Sequence, residues 1–268
     1  MGRTRATPFA GAHVLLTGAS RGLGAVLADE LAARGARLSL VARDAARLAD
    51  VAARTGGAAL PTDLADTAAV SGVADRARAV HGPVDVVVNN AAAFWLTPLD
   101  ALTTEQLVTT VAVNLLAPAE LIRALLPELR TRGGHVVNVA SLGGIMAIPN
   151  LTAYGASKAG LAHLTEVLRT ETAGAPIGIT LVQLAAIEGT DMYDDGMKSP
   201  MIDRVVRRAA RLGLRMSEPA DRVARRIADA VEQGRSSLVV PRIATGFHLM
   251  RRSPIAVAAA LDVHRGKS

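Results

Sequence analysis

Ala12-His-Val-Leu-Leu-Thr-Gly-Ala-Ser-Arg-Gly-Leu-Gly24 is the stretch whose reading decides the fold. Ala12 to Thr17 is a short apolar run without polar alternation, the pattern of a strand buried on both faces. Three glycines follow at once, and Ala25 to Ala33 then reads as a helix ending near Gly35. Glycines let a backbone turn sharply and approach a bound group closely. A helix N-terminus offers unpaired N–H groups and a partial positive charge. A buried strand, a glycine turn and a helix in that order predict a site for the pyrophosphate of a dinucleotide. The candidate binding residues in the turn are Gly18, Ser20, Arg21, Gly22, Leu23 and Gly24.

The chain on either side repeats the alternation. Arg37 to Ala42 reads as a second strand. An acid at the end of this strand would hold a ribose 2′-hydroxyl, whereas arginine accommodates a 2′-phosphate. Here Ala42 is followed by Arg43, and Arg21 is a second cation within reach of the same phosphate, so the pair favours NADP(H) over NAD(H). Asp44 reads as the cap of the next helix. Ala58 to Thr62 is a third strand, with Asp63 and Leu64 at its end as cofactor-binding candidates. Asp63 can accept a hydrogen bond from an adenine amino group, or cap a helix. Asp66 to Ala79 reads as an amphipathic helix, and Val84 to Val88 as a fourth strand. Asn89-Asn90-Ala91-Ala92 follows, small enough for backbone to pass close to a cofactor, with Asn90 the candidate contact.

Thr104 to Arg132 reads as a long helix in which Pro118 predicts a kink, because proline blocks a backbone bond. Asn114 lies in its apolar stripe, where a polar amide needs partners. It can hold a water or satisfy backbone freed by the kink. His135 to Ala140 is a fifth strand and delivers Ser141 at its end. Tyr154 to Ala173 is a helix, Ile177 to Leu184 a sixth strand, Gly189 to Pro200 a loop, Met201 to Leu212 and Pro219 to Gln233 helices, and Ser237 to Val240 a last strand. This order predicts an α/β fold, a doubly wound parallel sheet of Rossmann type with helices on both faces. Ligands bind such sheets outside the C-terminal strand ends. The glycine turn, Asp63, Asn90 and Ser141 all follow strands, so they converge on one edge.

Tyr154 and Lys158 stand one helical turn apart on one face. A free phenol has a pKa near ~10. A neighbouring ammonium favours the phenolate, so the pair can exchange protons near neutral pH, with the Ser141 hydroxyl holding an oxygen nearby.

Composition narrows the setting. The 268 residues suit one domain spanning 1–268, with a small helical lid at about 191–215 and a tail at about 242–268. Half the residues are apolar but only six are aromatic, so the core is built from Ala, Val and Leu. There is no cysteine, which excludes disulfides and thiolate metal sites and fits a cytoplasmic location. Asp191, Asp194 and Asp195 crowd one loop and read as solvation, so no metal is expected. No apolar run reads as a membrane span, and the N-terminus lacks the apolar core of a signal peptide. The net charge is +6, with many arginines between Arg204 and Arg226. Without aromatics for base stacking, this stripe does not read as a nucleic-acid site. It could dock an acidic carrier protein. In the tail, Ile255 to Leu261 is an apolar patch flanked by Arg251 and Arg252, expected to pack on the domain or on a partner subunit.

Together these residues resemble the short-chain dehydrogenase/reductase family, in its shorter single-domain branch. The matching positions are Thr17 to Gly24, Asp63, Asn89-Asn90-Ala91, Asn114, Ser141, Tyr154 and Lys158, spread over about 12–190. The closest look is to ketoreductases of the 3-oxoacyl-reductase type, which use NADPH. The resemblance implies an NADP(H)-dependent oxidoreductase acting on a ketone or secondary alcohol. Tyr154 would be the proton donor, or the base in reverse. Lys158 would lower its pKa and hold the nicotinamide ribose, Ser141 would orient the substrate oxygen, and Asn114 would anchor a water in a proton relay. Thr190 falls where the family's carboxamide-contacting threonine stands. Two positions depart from the pattern: Ala92 replaces a glycine, and Ala185-Ala186-Ile187-Glu188 replaces Pro-Gly and an apolar residue, setting Glu188 beside the nicotinamide. That change leaves room for a second reading, a cofactor-binding protein with a regulatory role or one catalysing elimination or cyclisation. Phe94, Trp95, Met146 and the loop Met192 to Met201 would line a pocket for a bulky apolar substrate. Family members are commonly dimers or tetramers built on the two long helices, so a homo-oligomer is expected here.

Overall fold

Seven apolar runs pair into one parallel sheet. In the computed structural model, which describes residues 4–211 and 217–241, its order is β3-β2-β1-β4-β5-β6-β9. The strands are β1 (His13–Thr17), β2 (Arg37–Ala42), β3 (Ala58–Pro61), β4 (Val86–Asn89), β5 (His135–Ser141), β6 (Gly178–Leu184) and β9 (Ser237–Val240). Strand order reverses between β1 and β4, where Val14 pairs with Val86 and Leu16 with Val88. That reversal opens the crevice in which such sheets bind ligands.

Because side chains alternate across a strand, each strand feeds two cores. On one face Val14, Leu16, Leu38, Leu40, Val86 and Val88 pack with α1 (Gly22–Ala33), α2 (Ala45–Thr55) and α10 (Ala220–Glu232). On the other Leu15, Val41, Leu60, Val87 and Val136 pack with α3 (Thr67–Ser71), α4 (Val73–His81), α6 (Ala117–Arg132) and α7 (Thr152–Glu171). Short aliphatic side chains suffice because helices and sheet meet closely on both sides. The doubly wound expectation holds.

Several local expectations change. The helix read over Asp66 to Ala79 is two helices, divided at Gly72. The kink assigned to Pro118 appears as a wide π-helical turn, Ala112–Leu116, between α5 (Thr104–Val111) and α6. Pro118 has no N–H for the carbonyl of Asn114, its partner in a regular α-helix, and Ala117 N–H bonds Ala112 O instead. The run Thr104–Arg132 is long and apolar enough to cross a membrane by length and composition, which the sequence reading had not allowed. Its inward face, with Leu121, Leu125 and Leu129, lies buried on the sheet. The loop assigned to Gly189 to Pro200 contains α8 (Asp191–Met197), capped by the Thr190 hydroxyl accepting from Tyr193 N. α9 (Pro200–Arg211) follows. A two-stranded parallel sheet, β7 (Ala186–Glu188) with β8 (Ser217–Pro219), was not anticipated. Residues 212–216 of the expected lid, and the tail from Arg242 with its Ile255 to Leu261 patch, lie outside the described residues.

Two buried histidines begin strands at the edge opposite the crevice. His13 Nε2 meets Ser39 Oγ at 2.8 Å, and its Nδ1 lies 2.9 Å from the Gly82 carbonyl. His135 Nε2 meets Thr180 Oγ1 at 2.8 Å, and its Nδ1 meets Thr7 Oγ1 at 3.3 Å. Burial lowers both pKa values, His135 to about 3. The folded state thus refuses a proton that the unfolded chain accepts at the ordinary histidine pKa of 6.5. The stability His135 contributes is complete above that value and is lost as pH falls towards about 3. Chemical denaturation between pH 7 and 5 should therefore show unfolding free energy dropping by up to about 1.4 kcal/mol per pH unit for each such histidine. His135→Gln should flatten the slope; an unchanged slope would remove His135 as its source.

Candidate active site

The crevice is built on contacts that only small residues allow. Thr17 closes β1, and its hydroxyl accepts from the backbone N–H of Asn90 (3.0 Å) and Ala91 (3.1 Å) while donating to Val88 O. Asn90 Nδ2 donates back to Thr17 O at 3.0 Å. This clasp draws the segment after β4 against the glycine turn. Gly18 (φ +69°) has no room for a side chain, since a Cβ would stand 2.7 Å from Ala91 Cα. A Cβ on Gly24 would lie 1.9 Å from the Gly18 carbonyl oxygen and 2.7 Å from Asn90 Nδ2. Gly22 has φ +55° and turns the chain into α1. No side chain caps α1, and its first turn carries no acid. Its N-terminal N–H groups therefore stand ready for an external anion.

A cleft of about 860 Å³ runs from this turn across the strand ends. Gly18, Ser20, Arg21, Gly22, Leu23 and Gly24 line one end, followed by Arg43, Asp63, Leu64 and Asn90. Ser141, Tyr154, Lys158 and Thr190 line the middle. Phe94, Trp95, Met146, Met192 and Met197 line the far wall. Asp63 Oδ1 accepts from Ala65 N, a local turn bond, and Asp44 caps α2 by accepting from Arg47 N. Arg21 does not turn towards Arg43: it pairs with Asp191 at the start of α8. Arg47, not among the sequence-based candidates, also lines the cleft with Arg43. Its signal was available, since a residue in the first turn after the β2 end points back towards the crevice.

Asn114 is the one candidate that does not reach the cleft. It is fully buried, its Oδ1 accepts from Ala93 N at 2.7 Å, and its Nδ2 donates to Ala93 O (2.9 Å) and Ser157 Oγ (3.0 Å). The amide thereby fixes the segment leading to Phe94 and Trp95 against α7. Glu188 is a second departure. In β7, Ile187 faces the cleft, and Glu188 turns away to accept from Ser217 Oγ at 2.6 Å. The bond to Ser217 on β8 holds the carboxylate away from the position it was expected to occupy.

Ser141, Tyr154 and Lys158 come together where β5 meets α7. The Ser141 hydroxyl accepts from Gly143 N at 3.1 Å, which holds it at the strand end. The edge of one ring meets the face of the other where Phe94 packs on Tyr154, with centroids 5.2 Å apart. Lys158 is buried and donates from Nζ to Val139 O at 2.9 Å. Burial lowers its pKa to about 8. The phenol moves opposite to expectation: burial raises its pKa, and the neighbouring Ser141 side chain only opposes the shift. Removing a phenolate from water outweighs its local partners here. A phenol so placed holds its proton until a strong acceptor arrives, which suits a general acid.

The fold and this arrangement define a dinucleotide-binding α/β protein with a serine, a tyrosine and a lysine at the strand ends. The family model for short chain dehydrogenases matches residues 12–199. Over 195 residues the chain is 37% identical to the ketoacyl reductase HetN of Nostoc sp., covering 70% of this chain and 68% of that one. Among solved structures, a metagenomic short-chain oxidoreductase in complex with NADP is 30% identical, with a TM-score of 0.71 over 87% of this chain and 98% of that one. A short chain dehydrogenase from Burkholderia cenocepacia, also in complex with NADP, is 29% identical at a TM-score of 0.74, with the same coverage. The chain belongs to the short-chain dehydrogenase family of oxidoreductases.

Gly24→Ala should test the cradle. Its methyl has no space against backbone, so we expect a loss towards the upper end of the roughly 1–3 kcal/mol that overpacking costs, read in denaturant unfolding. A variant of native stability would show that the close approach is not required.

Proposed function

We propose that this protein is an NADP(H)-dependent oxidoreductase that interconverts a ketone and a secondary alcohol. The observation that carries the reading is the placement of Ser141, Tyr154 and Lys158 in the same cleft as the uncapped α1 N-terminus, Arg43 and Arg47. The cradle fits the cofactor: positive-φ glycines leave backbone N–H groups bare, and two exposed arginines stand where β2 ends. Gly18 to Gly24 would hold the pyrophosphate, Asp63 and Leu64 the adenine, Arg43 and Arg47 the 2′-phosphate, and Asn90, Lys158 and Thr190 the nicotinamide half. The relatives solved with NADP support that choice. A bound nicotinamide would supply the hydride for the carbonyl carbon.

The chain's own residues handle the oxygen. Ser141 donates a hydrogen bond to the substrate carbonyl and fixes it beside the phenol. Tyr154, kept neutral by burial, gives its proton to that oxygen as negative charge develops there. Lys158, its pKa lowered by burial to about 8, can help return a proton to the phenol. Asn114 acts from behind the wall by holding Ala93 and Ser157 in place, and a water at the neighbouring π turn would continue a relay to solvent. The exposed side chains of Val108, Leu116 and Val167 on the α5–α6 run and α7 support assembly of copies through these helices. The arginine stripe gives less support to an acidic carrier, because Arg207, Arg225 and Arg226 are paired with Asp203, Asp221 and Glu218.

Tyr154→Phe should keep NADPH affinity within about twofold and lower kcat by roughly a hundredfold or more. Normal turnover by that variant would refute the acid role. Arg43→Ala and Arg47→Ala should each weaken NADPH about tenfold while leaving NADH nearly unchanged. Equal affinity for the two cofactors, insensitive to either substitution, would refute the 2′-phosphate assignment.

A further inference from the structure

The cleft is electrically lopsided. Among the described residues that line it, the cations are Arg21, Arg43, Arg47 and Lys158. The arginines lie in the glycine turn, at the β2 end and in the first turn of α2, and Lys158, which donates to the Val139 carbonyl, belongs with the nicotinamide half. Beyond Tyr154 the wall is aromatic and thioether: Phe94, Trp95, Met146, Met192 and Met197. The charged side chains on that side are Asp191 and Asp195. Asp191 is held by Arg21 at the boundary between the two halves. Asp195 pairs at 2.7 Å with Lys198, whose ammonium stands in solvent and does not line the cleft.

Resting on the oxidoreductase reading above, we propose that the substrate is an uncharged ketone or alcohol bearing a bulky apolar group, and that this wall, with Asp195, excludes carboxylates. A carboxylate entering here would lose its hydration and find, among the described residues on this side of the cleft, no cation to replace it, so it binds far more weakly or stays out of the site. Asp195 turns the negative end of its ion pair with Lys198 to the cleft, the repulsive half of a specificity device. Thioethers on unbranched stems repack around rings and chains alike, so the shape of the apolar group is selected less strictly than its charge.

Trp95 is the sole tryptophan of the chain and stands on this wall, so ligand entry can be followed without turnover. The full-length protein is titrated with 2-acetylnaphthalene, methyl 4-acetylbenzoate and 4-acetylbenzoate, recording Trp95 emission, and each is then assayed for NADPH oxidation. The two uncharged ketones should perturb the emission, and the carboxylate should bind about a hundredfold more weakly than its ester. Asp195→Asn should narrow the gap between carboxylate and ester severalfold. Binding of the carboxylate as tight as the ester, or no response of Trp95 to either uncharged ketone, would overturn the inference. Ester binding without NADPH oxidation would sustain it and refute the oxidoreductase reading instead.

Discussion

The approach of two backbones at the reversal of the sheet is the constraint on which the rest depends. Thr17 and Asn90 exchange hydrogen bonds across it, and Gly18 and Gly24 leave no volume between the turn and the segment after β4. The consequence reaches well beyond the turn. With this contact made, the α1 N-terminus faces the cleft, and Ala91 to Trp95 line it, with Phe94 packed on Tyr154. The buried Asn114 amide secures the other end of that segment through Ala93. The glycine turn and the far wall of the cleft are thus joined by one strap, pinned at Thr17 and at Asn114.

Burial sets the chemistry of the centre. Lys158 and Tyr154 sit in a region from which water is largely excluded, and each is driven towards its neutral form. That arrangement opposes stability, since a charged lysine below its shifted pKa is poorly solvated. It favours proton transfer, because a neutral phenol and an amine near its titration point exchange protons with little reorganisation. The single carbonyl partner of the ammonium, Val139 O, belongs to the strand that delivers Ser141. Strand and helix are therefore registered by this one side chain.

The architecture was legible because its signals are local and repeated. Apolar runs of four to seven residues alternate with amphipathic helices, and each run ends in the polar or glycine residues that build the cleft. The Tyr154–Lys158 spacing and Ser141 were equally plain. What escaped depends on tertiary context. The direction of the Tyr154 shift follows from how much apolar matter surrounds the ring, which spacing does not encode. Glu188 occupies a telling position in the sequence, yet the pairing of β7 with β8 brings Ser217 to it, and the carboxylate is held there instead of in the cleft. Arg21 looked like a phosphate ligand until α8 brought Asp191 to it. Pro118 marked a disturbance correctly, but its form, a π turn centred on Asn114, depends on which carbonyl the missing N–H would have served.

The pairing of β1 with β4 also governs how this chain reaches its native state. Thr17 and Asn90 lie 73 residues apart, with two other strands between them in sequence but outside them in the sheet. A nascent chain can assemble β1, β2 and β3 early, yet the innermost seam must wait until β4 has emerged. Until that seam closes, one flank of β1 is an open apolar edge. Any ligand bound across it would favour the closed form.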